Sequence, residues 1–187
     1  MDDNTHLLPG NRRSIRLNGY DYTQAGAYFV TICVRDRRCL FGHIHNGTMV
    51  LNPLGQTVQE EWIQSADIRR EIELDVFIVM PNHLHGVVVL SNPEDRPSKK
   101  ALPFKTQNSR MPMQPASQSL GSFIAGFKAS VTKRYKCLAG AGCAQVWQCN
   151  YHDHIIRNED DLRVIREYVA MNPVCWEKDT FHPVFGR

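Results

Sequence analysis

Residues 74–90 read LDVFIVMPNHLHGVVVL, two apolar runs separated by a Pro-Asn dipeptide. Both runs are short and rich in Val, Ile and Phe, residues that suit the pleated surface of a strand. Leu74 to Met80 and His85 to Leu90 are therefore expected to pair antiparallel across the tight connection at Pro81-Asn82. Residues two apart on a strand point the same way, so His83 and His85 share one face while Leu84 turns toward the core. Two imidazoles on one face suit a divalent ion, and a third ligand from elsewhere would leave positions open for substrate oxygens. The alternative is a pair of polar residues on a half-exposed strand. Their place in the most apolar strand pair argues against it, because buried polar groups must be satisfied.

Upstream, Ala27 to Val34 reads AYFVTICV, another buried strand, closed by Arg35, Asp36, Arg37 and Arg38. Leu40 to Leu51 contains Asn46-Gly47, a two-residue hairpin turn signal. Pro53 stands where a helix starts, and Leu54, Val58 and Trp62 mark an amphipathic helix to about Ile68. Downstream, the stretch from Asn92 to Ala116 changes character. Pro93, Pro97, Pro103, Pro112 and Pro115 alternate with Arg96, Lys99, Lys100, Lys105 and Arg110, which reads as a long basic loop. Order returns at Ser117 with a helix whose buried face is Leu120, Phe123, Ile124, Phe127 and Val131. A short strand, about Tyr151 to Arg157, precedes a last helix capped by Asn158 and ended by Pro173. This order of elements is α+β: an antiparallel sheet covered by helices, ferredoxin-like or RRM-like.

At 187 residues the chain has room for one domain, 1–187, with a flexible N-terminus over about 1–13 and the basic loop over about 92–116. Hydrophobic content of 42% and charged content of 22% exclude global disorder. A net charge of +3 permits nucleic-acid binding without demanding it. The six cysteines form no C-x-x-C pair, and no apolar run approaches a membrane span. The thiols are read as reduced and the protein as cytoplasmic, with no membrane partner.

Tyr168 is the second candidate group. Leu162, Ile165 and Val169 form the buried stripe of the last helix, with Tyr168 at its edge and Asn172 one turn on. A phenol of ordinary pKa about 10 is a poor nucleophile unless a cation or base stands near its oxygen. The amide oxygen of Asn172 is suited to hold a metal beside that hydroxyl; equally, the pair fits an ordinary amphipathic helix with an asparagine cap before proline. His43 and His45 adjoin the hairpin tip and read as surface residues. His152 and His154 flank a polar residue and are placed beside the last helix, lining a site without binding metal.

The chain resembles the single-tyrosine HUH transposases, and most closely the REP-associated tyrosine transposase group. Four segments carry the resemblance in order: Tyr28-Phe29-Val30-Thr31, Val79-Met80-Pro81-Asn82-His83-Leu84-His85, Val146-Trp147-Gln148 with Tyr151 to Arg157, and Tyr168-Val169-Ala170-Met171-Asn172-Pro173. The resemblance implies that Tyr168 attacks a phosphodiester of single-stranded DNA, leaving a 5′-phosphotyrosine link and a free 3′-hydroxyl. It implies His83, His85 and Asn172 as metal ligands, with Mg2+ or Mn2+ as the cofactor. Hairpins in single-stranded DNA are the implied partner, a monomer is favoured over a dimer, and the implied location is cytoplasmic, at the nucleoid. A water-activating nuclease and a non-catalytic nucleic-acid-binding module are the alternatives on the same scaffold. Two features depart from the group: the basic loop is long, and the chain after Trp176 and Asp179 is short, so a C-terminal DNA-contacting segment is expected to be essentially absent. Arg35, Arg37, Arg38, Lys128, Lys133, Arg134 and His154 are the candidate DNA contacts.

Overall fold

The two runs of residues 74–90 form neighbouring antiparallel strands, with Val79 opposite Leu84 and Met80 opposite His83. The computed structural model describes residues 20–91, 118–140 and 145–183, so the N-terminal stretch and the basic loop lie outside the described residues. The strands are β1 (Gly26–Cys33), β2 (Gly42–His45), β3 (Thr48–Leu51), β4 (Ile72–Met80), β5 (His83–Leu90) and β6 (His152–Ile156). The helices are α1 (Pro53–Ile68), α2 (Leu120–Ala139) and α3 (Glu159–Met171). β4, β5, β1 and β6 lie side by side in that order, every pair antiparallel, and β2 and β3 form a separate hairpin. Leaving that hairpin aside, the order β1-α1-β4-β5-α2-β6 with β1 beside β5 is the split βαβ arrangement of ferredoxin-like folds, as expected.

Local chemistry sets the element ends. Asn52 accepts from Gly55 N–H at 2.9 Å ahead of Pro53, starting α1 where the sequence places it. Ser119 and Ser122 form a reciprocal capping box, so α2 begins at Leu120, slightly later than the predicted Ser117. Asn158 accepts from Asp161 N–H at 2.8 Å, and three acidic residues occupy the first turn of α3. Asn46 and Gly47 both take positive φ, as a two-residue hairpin turn requires.

The sheet has two faces with different roles. Tyr28, Val30, Ile32, Leu84 and Val88 join Val58 and Trp62 of α1 and Phe123 and Phe127 of α2 in the main core. Gly86 is the point of closest approach on that face: a Cβ there would stand 2.8 Å from the Trp62 ring. The opposite face carries Phe29, Thr31, His83 and His85, since Thr31 pairs with His85 and Cys33 with His83. α3 and the chain after it cover this second face. The five described cysteines are free thiols, and no described helix is long and apolar enough to cross a membrane.

Candidate active site

His83 and His85 are both fully buried, their rings 4.4 Å apart centre to centre. The Asn82 amide nitrogen donates to the carbonyls of Arg37 at 3.1 Å and Phe181 at 2.7 Å. Its Oδ1 is left to accept, and His83 Nδ1 lies 2.8 Å away, so His83 carries its proton on Nδ1 and keeps a lone pair on Nε2. His85 Nδ1 is held 2.8 Å from Thr31 Oγ1, which turns its Nε2 toward α3. Such outer partners orient metal-binding imidazoles and set their tautomers. Burial pushes both rings toward the neutral form, His83 well below its ordinary value and His85 to about 3.

Tyr168 stands over this pair. Its hydroxyl is 3.3 Å from His85 Nε2, and the residue is 44% exposed, so the nucleophile candidate faces both the histidines and solvent. Phe29 stacks on His85 at 5.3 Å and meets the Tyr168 ring edge-on at 6.0 Å, fixing the two against each other. Two residues earlier on α3, Arg166 makes a bidentate pair with Asp75 at the β4 bulge, at 2.9 and 2.5 Å. Burial and then the Asp179 charge push the Tyr168 hydroxyl up to about 12. The phenol therefore needs a cation or an acceptor before it can act as a nucleophile.

Asn172 is buried and lies against His83, Tyr168 and Asp179. Asp179 was not singled out from sequence. It follows a short 3-10 turn, Trp176–Lys178, outside any periodic element, and only its closeness to the histidines in space reveals it. His83, His85 and Asp179 offer ligand atoms that all lie within 4.8 Å of one another. His83 Nε2, Asn172 Oδ1 and Asp179 Oδ2 are buried without a hydrogen-bond partner. Lone pairs left unsatisfied away from water are costly, and a divalent cation among them would satisfy all three, so the donor set fits such an ion. Phe181 closes the site, its ring 4.9 Å from His83 and 6.0 Å from His85. The stretch after Trp176 thus forms one wall of the site.

The other candidates divide. Arg35 and Arg37 line a shallow depression with Trp147 and Gln148 beside this wall, and Arg37 donates to the Thr180 carbonyl at 3.0 Å. Asp36 and Arg37 hold that turn in the left-handed region, with φ of 58° and 52°, a strained backbone of the kind that collects near functional sites. Arg38 follows the turn and is exposed. His154 is exposed on the edge strand opposite Phe29, on the histidine face, and half-buried His152 lies opposite Thr31. Lys128, Lys133 and Arg134 belong to α2, on the far face of the sheet. There Lys128 donates to the carbonyls of Gln148 and Asn150, both at 2.9 Å, and Arg134 pairs with Glu60 and Glu61. Those two cations have structural partners, and the structure does not bring α2 to the histidine site. His43 and His45 are exposed on the hairpin, as predicted.

Comparison with known proteins bears on this geometry. No protein-family model matches the chain. An uncharacterized protein of Haemophilus influenzae is 40% identical over 172 residues, covering 92% of this chain and 93% of its own length. The REP-associated tyrosine transposase of Escherichia coli K12 is 23% identical over 179 residues, covering 89% and 82%. A solved structure of a REP-associated tyrosine transposase bound to a REP hairpin superposes with a TM-score of 0.55 at 20% identity, covering 89% of this chain and 73% of that one. That likeness carries the fold.

Proposed function

We propose that the chain is a REP-associated tyrosine transposase, like the relatives it resembles over most of its length, and that it nicks and rejoins single-stranded DNA through Tyr168. The observation that carries the reading is the Tyr168 hydroxyl, 3.3 Å from His85 Nε2 at the rim of a buried cluster of unsatisfied lone pairs. In the proposed reaction the phenol oxygen attacks phosphorus, the bond to the 3′ oxygen breaks, and a 5′-phosphotyrosine and a 3′-hydroxyl result. A hydroxyl from the same or another strand can reverse the step, because the phosphodiester energy is kept in the tyrosine link.

His83, His85 and Asn172 hold the cofactor in this reading. A bound magnesium or manganese ion would polarise the phosphate and stabilise charge on the departing oxygen. Asn82 keeps the proton of His83 on Nδ1, and Thr31 holds the His85 ring so that its Nε2 faces the site. Phe29 and the Arg166–Asp75 pair fix the height and tilt of Tyr168, the positioning on which an in-line attack depends. Arg35, Arg37 and Arg38 at the end of β1, with His154 on the edge strand, are proposed phosphate contacts. The fold neighbour's REP hairpin supports a hairpin in single-stranded DNA as the substrate class.

End-labelled hairpin DNA incubated with Mn2+ and resolved on a denaturing gel tests this. The parent chain is expected to acquire a covalent label and Tyr168→Phe to lose it entirely. Cleavage that persists in Tyr168→Phe, with no labelled protein band, would assign the nucleophile to water and discard the tyrosine mechanism.

A further inference from the structure

We infer that Asp179 is itself a metal ligand, so that the chain holds a hard divalent cation through two imidazoles and a carboxylate before any DNA is bound. The inference shares with the proposed function the metal ion and the ligands His83, His85 and Asn172, and stands whatever the nucleophile is.

Asp179 arrives by a tightly held path. After α3 the chain makes the Trp176–Lys178 turn, and the Phe181 N–H closes back on Asp179 Oδ1 at 2.7 Å. The Arg37 guanidinium lies 5.8 Å over the Phe181 ring and donates to the Thr180 carbonyl, while Asn82 donates to the Phe181 carbonyl. With Oδ1 used, Oδ2 is buried and partnerless, 3.9 Å from the equally partnerless Nε2 of His83. The Asn82 acceptor already fixes the His83 proton on Nδ1, so two lone pairs face each other inside the site.

Distance decides what belongs between them. At 3.9 Å the two atoms are too far apart to share a proton in a hydrogen bond. Two ligands each about 2.1 Å from one ion stand about 3 to 4 Å apart, which is the spacing seen. His85 offers the third atom, all three lying within 4.8 Å of one another, and the unsatisfied Asn172 Oδ1 is available as a fourth. A carboxylate also supplies the negative charge that two neutral imidazoles and an amide lack, and hard oxygen donors favour Mg2+ and Mn2+.

The test is a Mn2+ titration of the full chain without DNA, with free ion followed by electron paramagnetic resonance, alongside melting in EDTA and in saturating Mn2+. The parent is expected to bind one equivalent, and Asp179→Asn to bind at least about tenfold more weakly. In EDTA the same variant is expected to melt no lower than the parent, because the amide oxygen can still accept from Phe181 N–H while the buried, partnerless Oδ2 and its charge are removed. A residue serving only the fold would show the reverse pattern, a lower melting temperature in EDTA with full Mn2+ affinity, and that result overturns the inference. So does a parent chain that binds no Mn2+ without DNA. On the parent alone, bound Mn2+ is expected to slow amide exchange across residues 176–181; metal bound without that protection also overturns it. A chain that binds Mn2+ through Asp179 yet forms no DNA adduct keeps this inference and loses the proposed function. Adduct formation with unaltered Mn2+ affinity in Asp179→Asn does the opposite.

Discussion

His85 is held neutral down to about 3, by desolvation first and by the neighbouring His152 second, against an ordinary value of 6.5. Between those values the unfolded chain binds a proton that the folded chain refuses, so stability falls as pH drops through that window. Melting of the metal-free protein is accordingly expected to be level above about pH 6.5 and to decline as the buffer is taken toward pH 4. His85→Gln should flatten the upper part of that decline; a parent curve already flat to pH 4 would contradict the burial argument. At this scale the histidine pair was legible, because strand parity alone puts positions 83 and 85 on one face. Tyr168 and Asn172 were legible as one turn of a helix, though no helical pattern separates a nucleophile from a half-buried tyrosine. Asp179 and Thr31 were not: the first sits in an irregular turn, and the second acts through a hydrogen bond between strands 54 positions apart in sequence.

At the scale of elements, α3 works as an arm whose height is set outside the site. Its N-cap, its acidic first turn and its end before Pro173 were all readable, since each has its own local chemistry. Its orientation was not, because the Arg166–Asp75 pair joins residues 91 apart across a strand bulge that the sequence does not announce. Arg166→Ala is expected to lower adduct formation by about ten- to a hundredfold, the order of penalty for misplacing a reacting group by about 1 Å. Mn2+ affinity should stay at the parent value, since none of the ligand side chains is touched. A parallel drop in both quantities would show α3 to be part of the metal site's own framework. Helix α2 gives the complementary lesson. Its buried stripe was evident, but a periodic stripe reports only that a helix has an inner face. Which face of the sheet it covers is decided by packing, here of Phe123 and Phe127 around Trp62 at 5.1 and 5.0 Å.

For the whole molecule, the four-stranded sheet has two unlike faces, one filled by core and the other carrying the candidate site. The candidate DNA contacts divide with it. Lys133 on the far side is expected to be dispensable: Lys133→Ala should leave hairpin affinity and its salt dependence near the parent's. Arg35→Ala and Arg38→Ala, at the end of β1 beside the site, should each reduce the slope of log affinity against log salt by about 0.7 to 0.9, the value for one phosphate contact. Equal slopes in all three variants would mean that the strand does not run along that edge. The ferredoxin-like order of elements was readable because each strand and helix carries its own local signal. The two-faced arrangement emerges only when the strands pair.

Gly86 joins these two faces. It follows His85 directly, and its bare backbone lies against Trp62 in the core on the other side of the sheet. A bulkier tryptophan environment or an added methyl would displace β5 by tenths of an ångström, and the imidazole anchored one residue earlier would move with it. Affinity for Mn2+ therefore becomes a gauge of core quality. A library randomised at Trp62, Phe123 and Phe127 and sorted only for metal capture would return the tightest-packed interiors, selected through a sheet that none of those side chains crosses.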